Sequence, residues 1–175
     1  MRWITLIVVF FLVLPAIAQE EMITWSAQKK LNWQDFKGAP DLNNGAAAIT
    51  ASGISYEFSA SIEGNKVFVD YVVNCFFYPQ QSWYKKELSG PSVLRHEQLH
   101  FDITELHARI MRAKLCKMNF TENVRKQIKK VYKDVIDELQ RMQKQYDEES
   151  DFSRNPEGQL KWEAKIASAL KMYDS

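Results

Sequence analysis

His96, Glu97 and His100 are the residues of this 175-residue chain whose types and spacing most plainly invite chemistry. They stand in the run His96-Glu97-Gln98-Leu99-His100. On a helix of about 3.6 residues per turn, the two histidines share one face, about 6 Å apart along the axis. Two imidazoles so placed can reach one metal ion. Glu97 lies about 100° round the helix, close enough to meet a water bound to that metal. The spacing therefore supplies two zinc ligands and a general base, the HExxH arrangement of metal-assisted hydrolysis. Zn2+ is the expected cofactor.

The element that must position these residues is a helix. Pro91 suits its first turn, where a missing N–H is no loss. Neither Gly nor Pro interrupts the following 25 or so residues. Leu99, Ile103, Leu106 and Ile110 form one apolar stripe, and Leu94, Phe101, Ala108 and Leu115 a second, with the histidines between them. A helix apolar on two sides is expected to be buried. The remaining histidine, His107, falls on the motif face. In a straight helix it lies about 10 Å beyond His100. We therefore expect it to line the cleft or to be solvated, not to ligate. Gln98, Asp102, Glu105 and Arg109 make a polar stripe expected to be structural, with Glu105 and Arg109 as i,i+4 partners.

Around this helix the chain reads as a single α+β domain over residues 19–175. Residues 24–40 give a short strand and an ordered loop pinned by Trp25, Trp33 and Phe36. Residues 47–61 read as one extended run, followed by a turn at Glu63-Gly64-Asn65. Val67, Val69, Tyr71, Val73, Cys75 and Phe77 then alternate with the residues between them, the period of a half-buried strand. A small antiparallel or mixed sheet packed on the motif helix follows. Trp83, in the loop leading to that helix, is expected near the site. A second long helix is expected from about Thr121 to Tyr146, capped by Asn119 or Thr121. Its stripe is Val124, Ile128, Val131, Val135, Leu139 and Met142. A third follows Asn155-Pro156, burying Trp162, Ile166 and Leu170. Cys75 and Cys116 are the only cysteines; a disulfide and two free thiols are both open.

Composition bounds the partners. The chain is 46% hydrophobic and 13% aromatic, enough for a core, and its net charge is +1. That balance makes no strong claim on nucleic acid or on a charged membrane surface. Residues 1–18 read as a signal peptide: Arg2, the apolar run 4–14, and the small-residue site Ala16-Ile17-Ala18. The run is too short for a membrane anchor. Export to the periplasm or beyond is expected, without a lasting anchor and as a monomer, with a peptide or protein substrate in the cell envelope.

Several stretches together resemble the bacterial exported family catalogued as domain of unknown function 922, regarded from its motif as zinc-dependent peptidases. They are Leu31-Asn32-Trp33-Gln34-Asp35-Phe36-Lys37-Gly38, Phe77 through Ser82-Trp83, and Arg95-His96-Glu97-Gln98-Leu99-His100-Phe101-Asp102-Ile103 with Glu105 and Arg109. Tyr146-Asp147-Glu148-Glu149-Ser150, Gln159 and Trp162 complete the set. The resemblance implies a zincin-like fold and hydrolase activity. It also exposes a departure. The family pattern tends to Tyr-Asp-x-x-Thr-x-His where this chain runs from Tyr146 to Phe152, so Ser150 replaces Thr and Phe152 replaces a histidine suited to be the third ligand. Asp147, Glu149 or Asp151 can substitute, as can Glu122 or Glu138 on the logic of other zincins. Two functions follow from the sequence: an exported zinc metallopeptidase using Glu97 as its base, or a catalytically inactive envelope binding module that kept the helix without a complete metal site.

Overall fold

The computed structural model describes residues 20–64 and 66–173. The signal peptide read at residues 1–18 lies outside them. The architecture is α+β, with five short or medium strands followed by three helices. β1 (Ile23–Thr24), β4 (Lys66–Phe77) and β3 (Ser52–Glu63) form one antiparallel sheet in that spatial order, and β2 (Ala48–Ile49) pairs with β5 (Trp83–Tyr84). Every pairing is antiparallel.

The extended run expected over 47–61 is broken, and hydrogen bonding gives the reason. Ala51 turns both its backbone groups away from the strands: its N–H donates to Ser82 Oγ and its carbonyl accepts from Tyr78 N, both at 2.9 Å. The chain thereby leaves β2 and enters β3. β3 and β4 then run in register from Ser52 opposite Phe77 to Glu63 opposite Lys66. Gly64, with φ of 60°, takes the left-handed conformation the reversal requires. The period-two pattern of β4 is realised at its end nearest the helices, where Val73, Cys75 and Phe77 are buried. Towards the hairpin tip the same face is half-buried at Val67, Val69 and Tyr71, while Phe68 and Val72 on the opposite face are exposed.

α1 (Pro91–Cys116) is the central helix. Gly90 enters it in an extended conformation and Pro91 occupies its first turn, as read from the sequence. The sheet packs on one side of it, and α2 (Val124–Ser150) and α3 (Pro156–Met172) on the other. α2 begins three residues later and ends four residues later than the sequence indicated. Asn123 is its cap residue, without a side-chain cap bond, so neither Asn119 nor Thr121 takes that position. Its apolar stripe packs as expected, with Ile128 and Val135 fully buried. α3 starts at Asn155, whose Oδ1 accepts from Gly158 N. A Cβ at Gly158 would lie 2.3 Å from the carbonyl oxygen of Glu149, so glycine lets α3 start directly against the end of α2.

The polar stripe of α1 is structural. Asp102 Oδ1 accepts from Trp25 Nε1 (2.7 Å) and Gln98 Nε2 (2.8 Å), and Lys30 reaches its other oxygen at 3.1 Å. Gln98 Oε1 accepts from Leu31 N. Glu105 holds Arg109 and Arg112, and Arg109 also donates to the carbonyl of Leu170. The stripe thus fastens the segment from Trp25 to Leu31 and the end of α3 onto the central helix. Trp33 stacks on Tyr84, and Phe36 meets Phe77 edge-on. Cys75 is buried on β4, Cys116 is exposed at the end of α1, and both are free thiols. Among the described residues no helix is long and apolar enough to cross a membrane.

Candidate metal centre

The first turns of α1 and the last turns of α2 run side by side, and the site lies where they meet. His96 Nε2, His100 Nε2 and Asp147 Oδ1 form a nearly equilateral triangle. The edges are 3.0 Å between the histidines, 3.1 Å from His96 to Asp147 and 3.0 Å from His100 to Asp147. Among the described residues this is the cluster able to hold a metal ion.

The surrounding hydrogen bonds fix what the three atoms carry. Gln143, one turn before Asp147, donates its amide N–H to the carbonyl of His100 (2.9 Å) and to Thr104 Oγ1 (3.3 Å). Its Oε1 therefore faces His100 Nδ1, which must donate to it. On His96, Nδ1 lies 3.4 Å from Ser150 Oγ, whose own proton goes to the carbonyl of Asp147. His100 Nδ1 thus acts as a donor, and the ε nitrogens of both histidines face the Asp147 carboxylate. The three atoms together can hold a cation, either a proton shared with one imidazole or a metal ion.

Electrostatics point the same way. Burial alone would lower the His100 pKa, but the Asp147 and Glu97 carboxylates outweigh it and raise the pKa above its ordinary value. Burial alone would raise Asp147, but its contacts with His100 and His96 hold its carboxyl well below the usual range. Zinc fits the donor set: two His nitrogens and one carboxylate oxygen are ligands it takes, and His96, His100 and Asp147 would hold it.

Tyr146 braces the centre. Its ring stacks on His96 (centroids 4.6 Å) and meets His100 at 5.0 Å. Its hydroxyl donates to Gln159 Oε1 at 2.6 Å, and burial drives its pKa far upward. It is a fixed support that does not ionise.

The triangle opens into a cleft of about 970 Å³ lined by α1, α2, residues 44–50, the start of β3 and the turn 152–154. Glu97 lines this cleft. Its main chain is anchored, the carbonyl accepting from Thr50 Oγ1 at 3.2 Å. Among the described residues no hydrogen bond or ion pair reaches its carboxylate.

The structure brings His96 and His100 together with Asp147, and Glu97 lines the same cleft. Glu149 instead accepts from Trp162 Nε1 and Gln145, Asp151 is paired with Arg154, Glu138 with Lys114, and Glu122 is exposed. His107 departs from expectation: it neither lines the cleft nor meets solvent. It is buried and donates Nδ1–H to the carbonyl of Ile103 at 2.8 Å, because α1 is covered on that face as well. Burial lowers its pKa. Trp83 is buried against β2 and does not line the cleft. Sequence reasoning missed Gln143, and it named Ser150 only as the residue at the family's Thr position. The signal was available: positions 143, 147 and 150 recur at helical spacing on one face of α2, polar in a stretch whose core stripe ends at Met142.

No curated protein and no solved structure matches the chain significantly. The model of the family described as "Bacterial protein of unknown function (DUF922)" matches residues 80–154, and this stretch, which contains His96, Glu97, His100 and Asp147, supports the resemblance read from the sequence.

Proposed function

We propose that this chain is an exported zinc-dependent peptidase, with His96, His100 and Asp147 as metal ligands and Glu97 as general base. The observation that carries this reading is the convergence of two imidazole nitrogens and a carboxylate oxygen beside Glu97 in an open cleft. Zinc bound there would supply Lewis acidity, polarising a carbonyl and bringing the pKa of a bound water to about 7. The chain's own part is to hold and move protons. Glu97 takes the proton of the attacking water and returns it to the departing amine. Gln143 and Ser150 keep the two imidazoles in the tautomer whose ε nitrogens face the ion. Tyr146 keeps the rings from turning.

A peptide substrate is favoured by the wall of the cleft. β3 is the terminal strand of its sheet, and residues 46–50 and 52–54 line the cleft. An extended backbone can pair with such an edge. Export rests on the segment 1–18 and places the substrate in the cell envelope.

The test is zinc stoichiometry and turnover of the purified mature chain. We expect about one zinc per chain, lost in H96A and H100A. E97Q should retain zinc and lose about 10²–10⁴-fold in the hydrolysis of any peptide the wild type cleaves. The inactive binding module gives a different result: no stoichiometric zinc and no effect of E97Q. Protein that stays metal-free in excess zinc would refute the peptidase reading.

A further inference from the structure

The turn that follows α2 holds three consecutive non-glycine residues in the left-handed region: Asp151 (φ 47°), Phe152 (φ 51°) and Ser153 (φ 74°). An Asp tolerates this conformation; a bulky Phe is an outlier there. Phe152 is also 58% exposed. Its conformation and its exposure are both unfavourable for the folded chain alone, and a Gly or Asn would make the same turn at less cost. Yet the turn is firmly built. Phe152 N donates to the carbonyl of Asp147 at 3.0 Å, and the Ser153 carbonyl accepts from Ser92 Oγ at 3.2 Å. Arg154, clamped by both oxygens of Asp151, sets its guanidinium over the Phe152 ring at 5.8 Å.

This ring lines the same cleft as the metal centre. α1 and α2 are antiparallel, so the cleft extends in two directions from the triangle. On one side, towards Thr104 and Leu139, its lining is Ile54, Tyr132 and Ile136. On the other, past His96 and Asp147, it is Val93 and Phe152. The small residues 45–48 also line it. Its charged lining residues among those described are Glu97 and Asp147, both in the centre, and Arg154, already paired.

We infer that Phe152 is a specificity-determining residue, forming with Val93 a subsite for a large apolar or aromatic side chain next to the bond that is cut. The inference rests on the zinc-peptidase reading and names the substrate class of that site: peptides with a bulky hydrophobic residue at one position flanking the scissile bond. The turn positions the ring, and the Arg154 guanidinium stands over it.

Calorimetric binding of three hydroxamates to the zinc-loaded full chain tests this. Acetohydroxamate chelates the metal and carries no side chain. A glycyl and a phenylalanyl dipeptide hydroxamate of equal length differ only in a benzyl group. We expect the benzyl probe to bind the wild type at least about tenfold tighter than the glycyl probe. In F152N, which keeps the left-handed turn, that ratio should fall below about threefold. A ratio near one in the wild type, or an undiminished ratio in F152N, overturns the inference while acetohydroxamate binding still upholds the metal site. Failure of all three probes, with no zinc retained, overturns the site reading and the subsite together.

Discussion

Replacing Asp147 by Asn separates a metal ligand from a structural hydrogen-bond acceptor. The substitution keeps the shape of the side chain and removes its charge. In the metal-free protein it is well tolerated, because two imidazole lone pairs face this position and the new amide N–H can donate to them. The metal-bound state responds in the opposite sense. Structural zinc sites of four ligands bind with about 10–16 kcal/mol, or about 3 kcal/mol per ligand, so losing the one anionic ligand of three should weaken zinc by about two to three orders of magnitude. Competition against a chromophoric chelator at pH 7.5 measures this directly. The control is Glu149→Gln, whose carboxylate is engaged by Trp162 and Gln145 away from the triangle; its affinity should stay within about threefold of wild type. Thermal melts provide a second readout, since zinc at about 100 times its Kd adds about 2.7 kcal/mol to the wild type and little to D147N. An unchanged zinc affinity in D147N, or an equal loss in E149Q, would refute the assignment of the third ligand.

Gln143→Leu should weaken zinc about 10–100-fold by freeing the tautomer of His100, and Ser150→Ala should do less, since its bond to His96 is long; the same competition assay ranks them. His107 has a lowered folded pKa, so below its unfolded value of about 6.5 the unfolded chain binds the extra proton and stability falls with falling pH. His107→Leu should flatten that dependence below about pH 6.5, measured by urea unfolding with chelator present; an unaltered slope would contradict the burial argument. Phe152→Gly relieves a left-handed Phe on an exposed turn and should stabilise the chain by about 1 kcal/mol, a rise of about 2–4 °C in Tm, with a fall in Tm counting against strain at the cleft.

Local periodicity settles much of this protein before any tertiary contact forms. The one-turn spacing of His96 and His100, with Glu97 between them, puts the three on one stretch of helix, because a single helix carries them and its geometry is rigid. Apolar stripes at 3.6-residue period locate α1, α2 and α3, and alternation at period two locates β4. Asn155-Pro156 marks the start of α3 by its own capping chemistry. What crosses between elements was legible only as a set of options. Asp147, Glu149 and Asp151 are equally plausible ligands in sequence; the helix rotation that packs Val135 and Leu139 on α1 turns Asp147 inward and leaves Glu149 to Trp162. The break between β2 and β3 depends on Ser82 and Tyr78, some thirty residues away, and no local signal announces it. His107 looked like a cleft residue because it shares a face with His96 and His100, yet the packed helices close over it two turns on. The left-handed turn at Phe152 is likewise a tertiary outcome. Hydrogen bonds from Ser92 and to Asp147 hold a conformation that the local sequence, with no glycine there, does not favour. Spacing within one helix is fixed by covalent geometry, whereas partners on separate elements are chosen by burial, and burial exists only once the chain has packed.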